Sequence, residues 1–333
     1  MYTPAGNTTG NANFNHLATV YYDRVALDQL RTVTMFWKAV DEKIHPKRNG
    51  KTVQFFRYGD FGASTTNAVE GQVGTSLVMS STSFTATVSQ YDDYITISDL
   101  LDDTSISDEV TAAADQLGYR AALTTDEILK AEIDSAAGSV DLSLLGSNFS
   151  SKDAANVRHQ LQGLNIRPKS NDGYFESLIH PYVSYDLIKD PEVGGYQDLA
   201  KRNALSGPNR LQTYEDRGFL ATVGGVRFWE STNVTQVSGS PNKWRTYFFG
   251  EGGVSAIDLA GRGPSRVMRP PNSPTASGDR FRVNVVRNLG PSKADPTGKI
   301  RAFVSYNFVF VAKIMDATNY RFRKIDAPSS IVS

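Results

Sequence analysis

The chain reads as a mixed α+β fold, with helical periodicity concentrated early and β-type alternation dispersed later. Two stretches carry most of that expectation. An alanine-rich run from Ser107 to about Ile133 repeats apolar residues at three- and four-residue spacing. Near the other end, Ala302, Val304, Tyr306, Phe308, Phe310, Ala312 and Ile314 alternate through one long strand, the strongest strand signal in the chain. At 333 residues, with 40% hydrophobic and 11% aromatic content, the chain has about two domains' worth of core.

Taken in order, residues 1–16 read as an extended arm with too little apolar surface to fold alone. Residues 17–48 hold a predicted helix: Val20, Leu27, Leu30, Val33, Phe36, Trp37 and Val40 recur at helical spacing to about Ile44, and Pro46 to Gly50 end it. A basic β-segment, Lys51 to Tyr58, pairs over Thr52 to Tyr58 with Ser83 to Val88, where Phe84, Ala86 and Val88 face one way and Ser/Thr the other. The connection between them holds Gly59, Gly62, Gly71 and Gly74 and has the length of a functional or mobile loop. The chain then passes through Tyr91-Asp92-Asp93-Tyr94 into Ile95-Thr96-Ile97. Ser107 is the expected N-cap of the long helix, with Asp108 and Glu109 in its first turn, where the helix dipole favours acids. At about 1.5 Å per residue the rod is roughly 40 Å long, with a bend allowed at Gly118 or Thr124-Thr125. A further helix is expected from Ser150 or Ser151 to Leu164, a strand over Tyr174 to Ile179, and a helix over Tyr182 to Lys189 opened by Pro181. Short strands follow near 219–230, 244–249 and 280–286.

Charge is balanced in total and polarised in sequence. Thirty-five basic and 35 acidic residues cancel, so the chain lacks the electrostatic term that dominates dedicated nucleic-acid binding. Between Arg57 and Arg120 there is no lysine or arginine, and residues 58–119 carry ten acids. Residues 262–333 carry thirteen bases against four acids. Such blocks are either solvated faces or complementary surfaces on copies of one protein. There is no cysteine, which excludes disulfides, thiolate catalysis and cysteine-held zinc. The N-terminus lacks the apolar core of a signal peptide, and no apolar run reaches the length of a membrane span, so no membrane partner is expected.

Nothing in the residues marks an enzyme. His16, His45, His159 and His180 occupy unrelated contexts and read as surface or turn residues. Gly250-Glu-Gly252-Gly253-Val-Ser255 lacks the Lys-Ser/Thr that closes a phosphate loop and reads as a turn beside a strand. The pairs Asp92-Asp93 and Asp102-Asp103 read as turn-flanking residues; a carboxylate-dependent hydrolase built on them is the weakest of the functional readings. Arginines alternate with aromatic residues at Tyr320-Arg-Phe-Arg-Lys324, as on a solvated sheet face or a partner surface. No catalytic residue, cofactor or metal site is expected.

The ordered parts together resemble the major capsid protein family of tailed double-stranded DNA bacteriophages. The residues that carry the resemblance are Tyr22 to Arg31, Gly50 to Tyr58, Glu70-Gly71, Val88 to Ser98 and Ala121 to Asp126, with weaker matches at His180-Pro181 and Gly224 to Phe228. The resemblance implies a tailed-phage capsid (HK-ninety-seven-type) fold. Its parts are an N-terminal arm at 1–16, the helix at 17–48, an extended loop at 49–92, and a peripheral domain at 93–172 whose spine helix is 107–134. An axial domain then spans 173–299, and 300–333 return to the peripheral domain and form the tail.

It also implies a subunit that assembles with itself into hexamers and pentamers of an icosahedral head enclosing double-stranded DNA, which it touches weakly and non-specifically. The expected location is the virion capsid, after synthesis in the bacterial host cytoplasm. The expected partners are a portal protein, a cement protein and a scaffold protein, the last a separate one because the N-terminus is too short to include a fused scaffold. Some relatives weld the shell through a lysine in the extended loop; residues 52–119 contain none, so non-covalent contacts are expected here. The residues expected at those contacts are Arg57, Glu70, Asp92, Asp93, Arg321 and Arg323. The alternative of another virion structural protein, a tail or decoration subunit, fits a long helix between strand blocks less well.

Overall fold

The computed structural model describes residues 35–59, 61, 63–65, 67, 70–73, 76–104, 108–136, 140–143, 148–169, 172–190, 219–260, 282–287, 300–316 and 321–331. The expected arm at 1–16, the expected helix as far as 34, and Ser107 lie outside them.

From Met35 onward the expected helix does not continue. Phe36–Ala39 is one 3-10 turn and Asp41–His45 is a strand, β1. Phe36, Trp37 and Val40 are buried, as their spacing requires. The backbone of the next five residues is set by a distant partner: β1 runs parallel to β11 (Val254–Leu259), with Asp41 opposite Ser255 and His45 opposite Leu259. Helical spacing over so few apolar residues does not distinguish a helix from a buried turn leading into a strand.

β2 (Thr52–Tyr58) and β3 (Ser81–Thr87) form a two-stranded antiparallel ribbon, with Thr52 opposite Thr87 and Tyr58 opposite Ser81. β4 (Ser89–Ser98) follows at once and joins a five-stranded sheet. At the centre of that sheet is β13 (Ile300–Ile314). β4 lies antiparallel along one side of it, and β12 (Arg282–Arg287) and β11 lie along the other, with β1 beyond β11. The alternation in β13 is real: Ala302, Val304, Phe308, Phe310 and Ala312 are buried. Tyr91 of β4 stacks on Phe308 at 5.5 Å, and Trp37 meets Phe310 at 5.4 Å.

After a short helix, α1 (Asp99–Thr104), comes the long one, α2 (Glu109–Ser135). It runs unbroken through Gly118 and Thr124-Thr125 and buries Val110, Ala114, Leu117, Ala121, Leu129 and Ile133. Its cap is Asp108, whose carboxylate accepts from the Val110 and Thr111 amides at 3.2 and 3.3 Å. The expected cap was the residue before it; Asp108 satisfies the same orphan donors. At the other end Lys324, fully buried, donates to the carbonyls of Ile133, Asp134 and Ala136 at 3.2, 3.4 and 2.7 Å. A cation on the last carbonyls completes the helix and complements its dipole.

The second sheet has seven strands in the order β5 (Val140–Ser143), β14 (Phe322–Pro328), β10 (Lys243–Phe249), β6 (Phe175–Ile179), β8 (Val226–Glu230) and β7 (Phe219–Val223). β9 (Gln236–Val237) pairs beside β10. Helix α3 (Ser151–Gly163) starts in a capping box of Ser150 and Asp153 and buries Ala154, Val157 and Leu161. Helix α4 (Pro181–Lys189) starts at Pro181, as expected, and buries Val183 and Leu187. Phe149, Phe228 and Phe248 meet at 6.1–6.3 Å. Phe36 meets Tyr247 edge-on at 5.3 Å, and a single apolar core spans both sheets.

The expected boundary at 299/300 does not divide these sheets. β11 and β12, from the block 173–299, pair with β13, while β14, from 300–333, pairs with β10 and β5. Pairing partners are far apart in sequence, so a boundary drawn from element order misses the exchange of strands between layers.

Candidate functional site

The ribbon of β2 and β3 pairs with neither larger sheet, and two strands alone have no core. Its two faces differ. Val53, Phe55 and Arg57 lie opposite Ala86, Phe84 and Thr82 and form the inner face. Ala86 is buried, Lys43 of β1 sits 4.5 Å over the Phe55 ring, and Arg57 is ion-paired with the buried Asp316 just beyond β13. The ribbon is thus fastened to the body along that face. Its outer face is open: Phe56 and Tyr58, opposite Ser83 and Ser81, are each 63% exposed. Beyond them Phe61, Leu77, Val78 and Met79 are exposed in the connection. This succession of large apolar side chains on an arm without a core is a surface made to be covered.

The expected contact residues fall into two groups. Arg57, Asp93 and Arg321 are engaged within the chain: Arg57 with Asp316, Asp93 with Arg120 of α2, and Arg321 with Asp316 at 3.7 Å. Arg321 also donates to the Glu251 carbonyl at 3.4 Å, and Arg323 is half-buried and donates to the Phe322 carbonyl at 3.0 Å. Glu70, in the ribbon connection, and Asp92, on β4, are exposed. Adjacent residues of a strand point to opposite faces, so Asp92 and Asp93 do not form a carboxylate pair. Among the described residues no cluster of three His, Asp or Glu is placed to hold a metal ion.

Sequence reasoning missed the exposed apolar residues. Phe55-Phe56 breaks the alternation of β2, and that break was the available signal: one of the two rings must face outward. It also missed the buried acids. Asp126 of α2 accepts from the Phe36 amide at 3.3 Å and the Asn233 side chain at 3.4 Å, and burial pushes its carboxyl up to about 7. Glu176 accepts from the Trp229 indole, and burial raises its carboxyl too. Both acids are buried and held in hydrogen bonds within the core.

No family profile and no curated protein sequence matches the chain. Solved structures do. The capsid subunit of Ralstonia phage GP4 superposes with a TM-score of 0.62 at 14% identity, over 90% of this chain and 92% of that one. The head structure of Helicobacter pylori bacteriophage KHP40 gives 0.62 at 10% identity, over 88% and 91%. The holo-SrpI encapsulin complex from Synechococcus elongatus gives 0.52 at 12% identity, over 90% and 89%. These likenesses span nearly the whole of each chain, and at such low identity what they establish is architecture: this chain has the α+β fold of tailed-phage capsid subunits, a fold shared with an encapsulin.

Proposed function

We infer that the chain is a major capsid protein of a tailed double-stranded DNA bacteriophage, assembling with itself into hexamers and pentamers of an icosahedral head. The observation that carries this reading is the apolar arm. Phe56, Tyr58, Phe61, Leu77, Val78 and Met79 face solvent with no other described part of the chain covering them, a surface suited to a second molecule. A fold otherwise met in shells makes a second copy the natural cover. The shell is non-covalent, because the ribbon and its connection supply no lysine for a weld. Exposed Glu70 and Asp92 remain the expected charges at contacts between copies, and the role is structural, without catalysis. A separate scaffold, a portal, a cement protein and loosely held DNA complete the expected assembly, located in the virion capsid.

Electron microscopy of the purified protein, alone and with a co-expressed scaffold, tests the reading. Closed particles of uniform size are expected, and a monomer under every condition overturns it. The likeness to the encapsulin complex supports a second reading, a shell around protein cargo. Particles from cells then contain protein and little nucleic acid, whereas the phage reading requires heads that fill with DNA.

A further inference from the structure

Two exposed features at opposite ends of β4 complement each other. At its start is the turn from Pro46 to Lys51, exposed throughout, with Lys47, Arg48 and Lys51 and no acid. This turn is held rigidly. Buried His45 donates from Nε2 to the Gly50 carbonyl at 3.0 Å, and the Val88 amide donates to the Lys51 carbonyl at 3.0 Å. Arg48 sits in the left-handed region at φ 66°, a conformation that a non-glycine residue keeps only where its surroundings impose it. Ile44, beside the turn, is exposed.

At the other end, about 33 Å away for a ten-residue strand, is α1. No residue of this six-residue helix is buried. A helix that short has little stability of its own and depends on packing. Yet Leu100 is 70% and Leu101 46% exposed, and Leu100 shares a face with Asp103 three residues on. Asp99 and Asp102 add to the charge, and no base occurs between Arg57 and Arg120.

We propose that α1 of one copy docks on the Pro46–Lys51 turn of the next, its leucines against Ile44 and its aspartates against Lys47, Arg48 and Lys51. The occupant is a second copy because the chain itself carries both halves, with opposite charge and matching apolar content. Placing the halves at two ends of one strand makes the contact head-to-tail, the kind that closes into rings. The inference rests on the reading of the chain as a shell subunit.

Two charge-reversed proteins test it: one with Lys47→Glu, Arg48→Glu and Lys51→Glu, the other with Asp102→Lys and Asp103→Lys. Circular dichroism and melting curves like those of the wild type establish that both fold. Each alone sets like charges together, and its particle yield is expected to fall at least about tenfold. Mixed in equal amounts, the two variants can alternate around a six-membered ring with every contact complementary, and hexamers return; a five-membered ring keeps one like-charged contact. Assembly of each variant alone at wild-type yield, beside normal wild-type particles, overturns this inference and leaves the shell reading intact. Failure of the mixture to form hexamers overturns it as well. Normal particles from the turn variant that retain less DNA mean the turn faces phosphate, which also overturns it. Wild-type protein that never closes into particles sinks the shell reading first, and this inference with it.

Discussion

Asp126 shows how one side chain links burial to pH. Its carboxylate lies inside the core beneath the 3-10 turn, bonded to the Phe36 amide and Asn233, while Lys130 reaches the same asparagine at 3.1 Å. Burial raises it from 3.8 to about 7, more than these bonds lower it. Between those values the folded chain holds a proton that the unfolded chain has released. The stability it contributes is full below about pH 4 and is lost as pH rises through about 7. Asp126→Asn should therefore flatten the decline between pH 4 and 7 and, at pH 8, be more stable than the wild type by on the order of a few kcal/mol and so melt higher. Glu176, shifted in the same direction, keeps part of the slope in the variant. Melting temperatures at pH 5 and pH 8 check this; a variant with a steeper pH dependence would refute it. No periodicity in sequence marks Asp126, because on a helix an acid among apolar residues reads as the edge of the stripe.

At the scale of elements, the end of α2 and the ribbon make opposite predictions. Lys324 closes α2 through three carbonyl bonds, and burial, with Arg245 nearby, pushes its amine down to about 8. Lys324→Ala leaves those carbonyls without their donor and should cost about 2–4 kcal/mol in chemical denaturation, with assembly lost only as a consequence. On the ribbon, Phe56→Ser with Tyr58→Ser should change stability by less than about 1 kcal/mol, because both rings are already in water. Particle yield should nonetheless collapse, as read by sedimentation. Loss of fold in the ribbon variant, or normal shells from it, would contradict the reading of the outer face. The hairpin itself was legible, since the period-two pattern of Ser83 to Val88 and its partner strand appear in the structure with Val53 opposite Ala86. The burial of Lys324 was not: in sequence it is one more cation in an arginine-rich run, and only pairing of β14 with β10 and β5 brings it under the helix.

For the whole molecule, charge balance and polarity act together. Zero net charge removes the overall attraction to phosphate, and in the proposed shell complementary ends can still steer copies toward each other. Assembly followed by light scattering should slow as sodium chloride rises from about 0.05 to 1 M, where the screening length falls to about 3 Å. A rate that rises with salt would instead assign the contacts to apolar burial alone. The polarity was legible in sequence, but its spatial meaning was not. Of the six charges expected at contacts, Arg57, Asp93 and Arg321 turn out to form ion pairs within the chain. Reversing Arg321 would therefore disturb the fold of the chain itself.

What sequence by itself determined is what local pattern encodes: the stripe of α2, the alternation of β13, the ribbon strands, the proline that opens α4, and the absence of cysteine and of a lysine in the ribbon. Each follows from side-chain spacing or simple composition. Tertiary structure alone decided that Asp41–His45 is a strand, that strands from both sides of residue 299 share each sheet, and which charges are spent inside the chain. Those outcomes depend on hydrogen bonds and ion pairs between residues up to hundreds of positions apart. No window along the chain contains both partners.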